Sequence, residues 1–180
     1  MSVAVDVRDL AGHPGSSRVV HVAEPVPGLV TAMARVSEER TVEADLLLEG
    51  VVEGVLASGP LEGTMTLNCA RCLKTFDQPF RVDVHELFAA GARPEDDEYP
   101  LVEGRIDLEP MIRDAVVPTM PFAPLCRSDC LGLCPRCGGD RNLGECTCPP
   151  ETDARWAPLV GLDLEAGVRR HDPSHTPGER

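Results

Sequence analysis

Apolar and polar residues alternate in several short stretches of the first half of the chain, the period of a β-strand with one buried side. The alternation is weak at 3–7 and clear at 64–69 (TMTLNC) and 80–84 (FRVDV). The tetrapeptide CARC at 69–72 falls between the last two stretches, in the connection between two strands that we expect to be antiparallel. The pattern therefore predicts an antiparallel sheet from about 40 to 90.

Glycine and proline divide the middle of this predicted sheet. Residues 42–59 are rich in Val, Leu, Glu and Gly and indicate one or two strands, with Gly50 or Gly54 at a bulge or bend. SGPLEG at 58–63 has the composition of a turn, which we predict there.

The best helical pattern starts at Asp107, a residue type that favours the N-cap position. Apolar residues follow at the spacing of one helix face: Leu108, Met111, Ile112, Ala115 and Val116. Pro110 is tolerated in the first turn, and Pro118 ends the pattern. We predict a helix at 107–117 whose apolar stripe packs on the sheet or, alternatively, enters a groove of a partner.

The composition is acidic and poor in aromatic residues. A formal net charge of −13 and a pI of about 4.7 exclude a protein that wraps nucleic acid over its whole surface, because phosphate binding needs Lys and Arg. The charge fits a basic protein partner, or simply solubility. Four consecutive acids at 95–98 indicate an acidic loop at 91–104. We interpret this loop as solvated or as a contact for a basic partner.

The opening residues lack a basic start followed by an apolar core, and the chain has no stretch of about 18 apolar residues. We therefore expect a cytoplasmic protein that makes no membrane contact. In that compartment thiols stay reduced, and clustered cysteines more often bind metal than form disulfides.

Eight cysteines form four close pairs, two of them C-x-x-C. A tetrahedral zinc ion needs four such thiolates, and Gly138 and Gly139 after CPRC permit the tight turn that metal knuckles use. The cysteines are Cys69, Cys72, Cys126, Cys130, Cys134, Cys137, Cys146 and Cys148. They match two structural zinc sites.

Two divisions of the cysteines are open at this stage. Our preferred one places Cys69, Cys72, Cys126 and Cys130 in one site and leaves the other four for a second site closed by a short loop. The rival joins the pairs 69/72 and 134/137 as a zinc ribbon. Disulfides, a redox-active C-x-x-C and an iron–sulfur cluster are the alternatives to zinc.

These elements predict an α+β fold: an antiparallel β-sheet with one main helix and a C-terminal cysteine-rich zinc module. We predict a mainly β domain at 1–125, the zinc module at 126–150, and an extension at 151–180 that is largely disordered after about 165. Trp156, Leu159 and Val160 in this extension indicate a short amphipathic turn.

Nothing in the sequence predicts catalysis. Thiolates close both sites, whereas a catalytic zinc keeps an open position. Nucleophile, P-loop and metalloprotease motifs are missing from the sequence. Five cations beside the cysteines are candidates for RNA contact or for balancing the charge of the metal sites: Arg71, Lys74, Arg127, Arg136 and Arg141.

Four stretches of the chain together resemble the YceD family of bacterial proteins: CARCL, an acidic loop, IDLEPMIRDAVVPTMPFAPLC, and CLGLCPRCGGDRN with a final CTC. VRDLAGHPGSSR and DARWAPLVGL resemble the terminal stretches of its actinobacterial-type members. The family is named for large ribosomal RNA subunit accumulation, and the resemblance implies a role in synthesis, processing or stability of 23S rRNA. The resemblance implies no catalytic residues, and it places Cys69 and Cys72 nearer the core that the family members share.

We therefore expect a non-enzymatic ribosome biogenesis factor. Its expected partner is a large-subunit precursor, which it contacts through rRNA or through a basic ribosomal protein. The alternative is a structural zinc scaffold that binds basic proteins without touching RNA. The oligomeric state stays open.

Overall fold

The structure is a computed structural model that describes residues 3–93, 98–149, 155 and 159. The strands, helix and core below belong to one compact unit, Met1–Cys146. The predicted disorder after 165, the positions of Trp156 and Val160, and the acids at 95–97 lie outside the described residues.

An eight-stranded sheet dominates the described residues, in the order β1-β8-β7-β6-β5-β4-β2, with β3 paired to β5. The strands are β1 (Ala4–Asp6), β2 (Ser17–Glu24), β3 (Ala34–Arg35), β4 (Val42–Gly50), β5 (Gly54–Asn68), β6 (Thr75–Ala90), β7 (Tyr99–Val102) and β8 (Arg105–Asp107).

The predicted antiparallel sheet at about 40–90 is confirmed as β4, β5 and β6. The bend expected at Gly50 or Gly54 is the β4–β5 turn, which the Val51 N–H closes by donating to the Gly54 carbonyl at 2.9 Å. CARC lies in the β5–β6 connection, as predicted. The long β5–β6 hairpin therefore carries the first two cysteines at its tip.

The turn predicted at 58–63 is wrong, because this segment lies inside β5. Pro60 faces Asp83 and Gly63 faces Phe80 of β6 in unbroken register. On the other side of β5 the ladder to β4 is interrupted opposite Pro60, which has no N–H to donate. A Cβ on Gly59 would lie 2.2 Å from the Asp45 carbonyl oxygen, so this glycine permits a close approach of two strands, not a turn.

The sheet is wider than expected, so the fold is mostly β and not the α+β class that we predicted. β1, β2, β7 and β8 extend it on both sides, and β7 occupies part of the predicted loop at 91–104. β6 and β7 pair in parallel, whereas the other ladders are antiparallel.

The predicted helix is confirmed as α1 (Leu108–Val116). The Asp107 carboxylate caps it by accepting a hydrogen bond from the Glu109 N–H at 3.1 Å. Val117–Thr119, which contains Pro118, continues as a single 3-10 turn. The apolar stripe joins the main core of the sheet: Leu108, Met111, Ile112 and Val116 are buried, and Ala115 packs against them.

In the described part of the chain, no helix has the length and apolarity that are needed to cross a membrane.

Candidate metal centres

The first cysteine pair lies on a tight knuckle at the tip of the β5–β6 hairpin. The Cys69 N–H donates to the Lys74 carbonyl at 2.9 Å, and the Leu73 N–H donates to the Cys69 carbonyl at 2.9 Å. Leu73 takes a φ of 60°, the left-handed conformation that usually falls to glycine after a C-x-x-C. The knuckle therefore forms although the sequence lacks that glycine.

The segment that follows α1 brings the other two cysteines of this group to the knuckle. The Ala70 N–H donates to the Pro124 carbonyl at 2.8 Å. The sulfurs of Cys69 and Cys130 are 3.8 Å apart, and those of Cys72 and Cys126 are 3.7 Å apart. All four sulfurs, which we call site 1, lie within 4.8 Å of one another.

The remaining four cysteines form a second group, site 2. The Gly138 N–H donates to the Cys134 carbonyl, and the Cys134 N–H to the Gly139 carbonyl, both at 2.9 Å. The Arg136 N–H points at the Cys134 sulfur, 3.4 Å away. The sulfurs of Cys134, Cys137, Cys146 and Cys148 also lie within 4.8 Å of one another. The grouping is thus the preferred four-and-four division and not the zinc ribbon.

The spacing of the sulfurs fits a single tetrahedral ion. Four Zn–S bonds of about 2.3 Å at tetrahedral angles separate the sulfurs by about 3.8 Å. Disulfide sulfurs lie about 2.05 Å apart, so the sulfur pairs at 3.7 and 3.8 Å are not disulfides. All eight cysteines are free thiols.

Each site contains one thiol that ionises easily. Burial raises the pKa of Cys69, but hydrogen bonds from the backbone N–H groups of Cys126, Cys72 and Arg71 outweigh it and lower that pKa to about 6. N–H groups of Cys137 and Arg136 lower the pKa of Cys134 to about 6. Desolvation and the neighbouring thiols raise the pKa of Cys126 to about 12. Without a cation, four crowded thiols cannot all be charged.

Three of the five predicted RNA-contact cations are engaged within the protein. Arg71 donates to the Cys130 carbonyl at 2.7 Å, Lys74 pairs with Asp140 at 2.8 Å, and Arg127 donates to Asn142 at 2.8 Å. All five cations belong to exposed residues on the segments that carry the cysteines. Their contact with RNA stays a prediction.

Arg136 and Arg141 differ from the other three cations. Their side chains have no hydrogen-bond or ion-pair partner among the described residues. Of the five candidates, these two are therefore the ones whose guanidinium groups are not engaged by the described part of the protein.

Sequence reasoning missed Asp140 and Asn142, which connect the surroundings of the two sites. Asp140 is buried although charged, and Asn142 lies beside it on the loop of site 2. An Asp followed two residues later by an Asn, just after a CGG turn, has the composition of an Asx turn. That signal alone gives no hint of the contacts with site 1.

Comparison with known proteins identifies the family. Residues 57–163, more than half of the chain, match the family described as large ribosomal RNA subunit accumulation protein YceD. An uncharacterised protein of Mycobacterium tuberculosis strain H37Rv is 34% identical over 167 residues, which cover 89% of this chain and 81% of that protein. An uncharacterised protein of Mycobacterium leprae is 36% identical over 173 residues, covering 89% and 77%.

A plant relative carries the family name. A maize protein named large ribosomal RNA subunit accumulation protein YCED homolog 1, chloroplastic, is 32% identical over 65 residues, or 36% of this chain and 22% of that protein. Solved structures gave no significant match. The matched span includes all eight cysteines, and the resemblance read from the sequence is confirmed: the chain belongs to the YceD family.

Proposed function

We propose that this protein is a non-enzymatic ribosome biogenesis factor, acting in the cytoplasm, that supports synthesis, processing or stability of 23S rRNA. The observation that carries the proposal is the family match over 57–163, supported by the name of the maize relative. A ribosome-related role follows from membership; the step and the mode of contact are our proposal.

Each site is proposed to hold one zinc ion. The donor set of four thiolates suits zinc, and the 3.7 and 3.8 Å sulfur contacts in site 1 match one tetrahedral ion. An iron–sulfur cluster places further atoms between its ligands and spreads them more widely than the 4.8 Å limit seen here. Zinc bound by four thiolates has no open position, so the sites are proposed to be structural, not catalytic.

RNA contact is proposed through the cations around the sites, with Arg136 and Arg141 as the main phosphate ligands. Arg71, Lys74 and Arg127 balance the charge near the thiolates and shape the module, so they contribute less. The overall charge of −13 restricts such contact to this patch.

A protein partner is the second candidate, favoured by the outward face of the sheet. β4 alternates buried residues with Glu43, Asp45 and Glu49 on the other face. Glu43 lies opposite Glu62 of β5, and Asp83 of β6 faces Pro60 of β5. Val19, 71% exposed, lies opposite Leu47, 37% exposed, on the same face. Apolar side chains among acids suit a basic ribosomal protein.

Depletion followed by rRNA measurement tests the proposal. Cells lacking the protein should accumulate less 23S than 16S rRNA, and the protein should sediment with large-subunit precursors at low salt. An unchanged rRNA ratio together with a protein that stays at the top of the gradient would overturn the biogenesis role.

Charge reversal separates the two modes of contact. Arg136→Glu with Arg141→Glu should reduce RNA crosslinking several-fold, whereas Arg35→Glu, an exposed arginine on β3, should leave it unchanged. Unchanged RNA crosslinking in the double variant would contradict RNA contact. If Glu43→Lys with Asp45→Lys then abolished crosslinking to ribosomal proteins, the scaffold alternative would be favoured.

A further inference from the structure

Among the described residues, Asp140 is the one charged residue that is buried, at 6% exposure. It lies on the eight-residue loop 138–145 between Cys137 and Cys146 of site 2, yet its ion-pair partner lies next to the first knuckle, which carries two cysteines of site 1. Its Oδ2 is 2.8 Å from Nζ of Lys74, which follows the first knuckle. Lys74 and then the Asn142 N–H lower the pKa of Asp140 to about 2, so the carboxylate is charged at neutral pH.

Asn142 extends this contact to the sulfur of a site 1 cysteine. Its Nδ2 donates to Asp140 Oδ1 at 2.7 Å and lies 3.6 Å from the Cys130 sulfur. Its Oδ1 accepts from the Leu131 N–H at 2.7 Å and from Arg127 at 2.8 Å. An amide carries two N–H hydrogens and two lone pairs, so all four contacts can be made at once. The Asn142 side chain thus contacts the Cys130 sulfur and also residues that precede and follow Cys130 in the sequence.

Backbone contacts follow the same path. The Arg141 N–H donates to the Gly132 carbonyl, and the Leu133 N–H donates to the Arg71 carbonyl, both at 3.0 Å. Leu133 and Asp140 also form an isolated antiparallel bridge. The loop of site 2 therefore lies against 130–133, and that segment lies against the knuckle of site 1.

We propose that the loop of site 2 supports site 1, with Asn142 positioning Cys130, so that metal binding at site 2 strengthens metal binding at site 1. This inference rests on the proposed metal occupancy of both sites. A metal at site 2 fixes Cys137 and Cys146, the two ends of the loop, and so lowers the entropy lost when Asp140 and Asn142 reach site 1. N–H donors to a metal-bound thiolate stabilise its charge and orientation.

The effect should be measurable in both directions. Removing a group that orients a metal ligand typically reduces metal affinity about 10- to 100-fold, and we expect about tenfold weaker zinc binding at site 1 without Asn142. Coupling between two binding sites is reciprocal, so the factor by which zinc at site 2 strengthens site 1 is also the factor by which zinc at site 1 strengthens site 2.

Zinc titration of the full chain with pulsed alkylation and peptide mass spectrometry reads the sites separately. Cys126 reports site 1 and Cys137 reports site 2; both are exposed, so protection from alkylation reports metal and not burial. Asn142→Ala should move half-protection of Cys126 to about tenfold higher free zinc and change Cys137 less. Leu143→Ala, at an uncharged position on the same loop that is 65% exposed, should change neither cysteine.

Two further variants test the direction of the coupling. Cys146→Ser should also weaken protection of Cys126, and Asn142→Ala should add less than tenfold in that background, because the loop is already released. Protection of Cys126 that is unchanged in both single variants would overturn the proposal. Weaker protection of Cys137 alone in Asn142→Ala would also overturn it, because Asn142 would then support the loop of site 2 and not site 1.

Failure of the metal proposal itself gives a different result. If saturating zinc protected neither cysteine in the unaltered chain, both the zinc sites and their coupling would be wrong.

Discussion

The two cysteine groups use the same ligands but stand in different relations to the fold. Site 1 joins the tip of the β5–β6 hairpin to the segment after α1, across the 53 residues 73–125, and three of its cysteines are buried. They form a small apolar cluster with Phe76, Leu125 and Leu133. Site 2 closes only the loop 138–145, and of its cysteines Cys134 alone is buried.

With the proposed metal bound, this difference would separate a site that stabilises the whole fold from one that stabilises a surface loop. In the chain-entropy model, a cross-link over about 55 residues stabilises a protein by about 4 kcal/mol, whereas one over about 10 residues adds about 3 kcal/mol. The shorter link acts on a loop outside the main core, so its loss opens that loop locally. Site 1 should therefore govern global stability, and site 2 the surface that carries Arg136 and Arg141.

The largest expected effect comes from removing one ligand of each site. Cys72→Ser should lower the stability of the zinc-loaded protein by about 4 kcal/mol, roughly 8–16 °C in Tm. Cys137→Ser should lower it by about 1 kcal/mol, mainly through weaker support of site 1. Thermal unfolding followed by far-UV circular dichroism at saturating zinc measures both, and equal losses would contradict the comparison.

The next effect concerns the contact between 130–133 and the knuckle of site 1. Gly132 has a φ of +74°, and a Cβ there would lie 2.8 Å from the Arg71 carbonyl oxygen. Gly138 has a φ of +73°, and a Cβ there would meet nothing within 4 Å. In both variants alanine must adopt the left-handed conformation, which lowers the free energy of unfolding by about 1–2 kcal/mol.

Gly132→Ala also crowds the backbone, which adds about 1–3 kcal/mol. Urea unfolding should therefore show Gly132→Ala to be less stable than Gly138→Ala by at least about 1 kcal/mol. Similar values for the two variants would mean that the contact with Arg71 is not maintained in solution.

A smaller, stabilising effect is expected at Leu73. Glycine adopts its φ of 60° without the penalty that leucine bears, so Leu73→Gly should add up to about 1 kcal/mol and tighten zinc at site 1 about fivefold. Glu103→Gly is the matched control, because Glu103 has a φ of 51° in the β7–β8 turn. It should raise Tm without changing zinc affinity; a parallel change in affinity would contradict this assignment.

The smallest signal is the ionisation of one thiol in each site of the metal-free protein. The pKa of Cys69 and that of Cys134 fall from 9.0 to about 6. Their contribution to stability is therefore complete above pH 9 and is lost as the pH falls through 6.

Absorbance at 240 nm, which reports thiolates, should show a step near pH 6 that Cys69→Ser and Cys134→Ser each reduce by half. A single step near pH 9 would contradict the backbone hydrogen bonds at both sulfurs.

The sequence predicted the parts of the fold whose signals are local. The alternation at 64–69 and 80–84, the capping aspartate at 107 and the stripe of α1 each depend on residues that are close together in the sequence, and all are confirmed. The turn at 58–63 failed because Gly and Pro there serve a close approach between β4 and β5, a contact between distant parts of the chain. The added strands at both edges depend on pairings of the same non-local kind.

The candidate site shows the same limit. Counting cysteines and loop lengths was enough to prefer the four-and-four grouping that the structure has. The partners of Asp140 and Asn142 could not be predicted, because Lys74 and Cys130 reach them through the folding of two separate loops. Polar residues in a loop are ordinary in any sequence, and only burial reveals that these two carry the connection.

The central claim is that eight thiols form two separate metal sites in this grouping, and native mass spectrometry of zinc-saturated variants tests it most directly. The unaltered chain should bind two zinc ions, and the variant with serine at 69, 72, 126 and 130 should keep one. Replacing 69, 72, 134 and 137 should remove both ions, because each site then loses two ligands. One ion retained in this last variant, and none in the former, would establish the zinc-ribbon pairing and contradict the account.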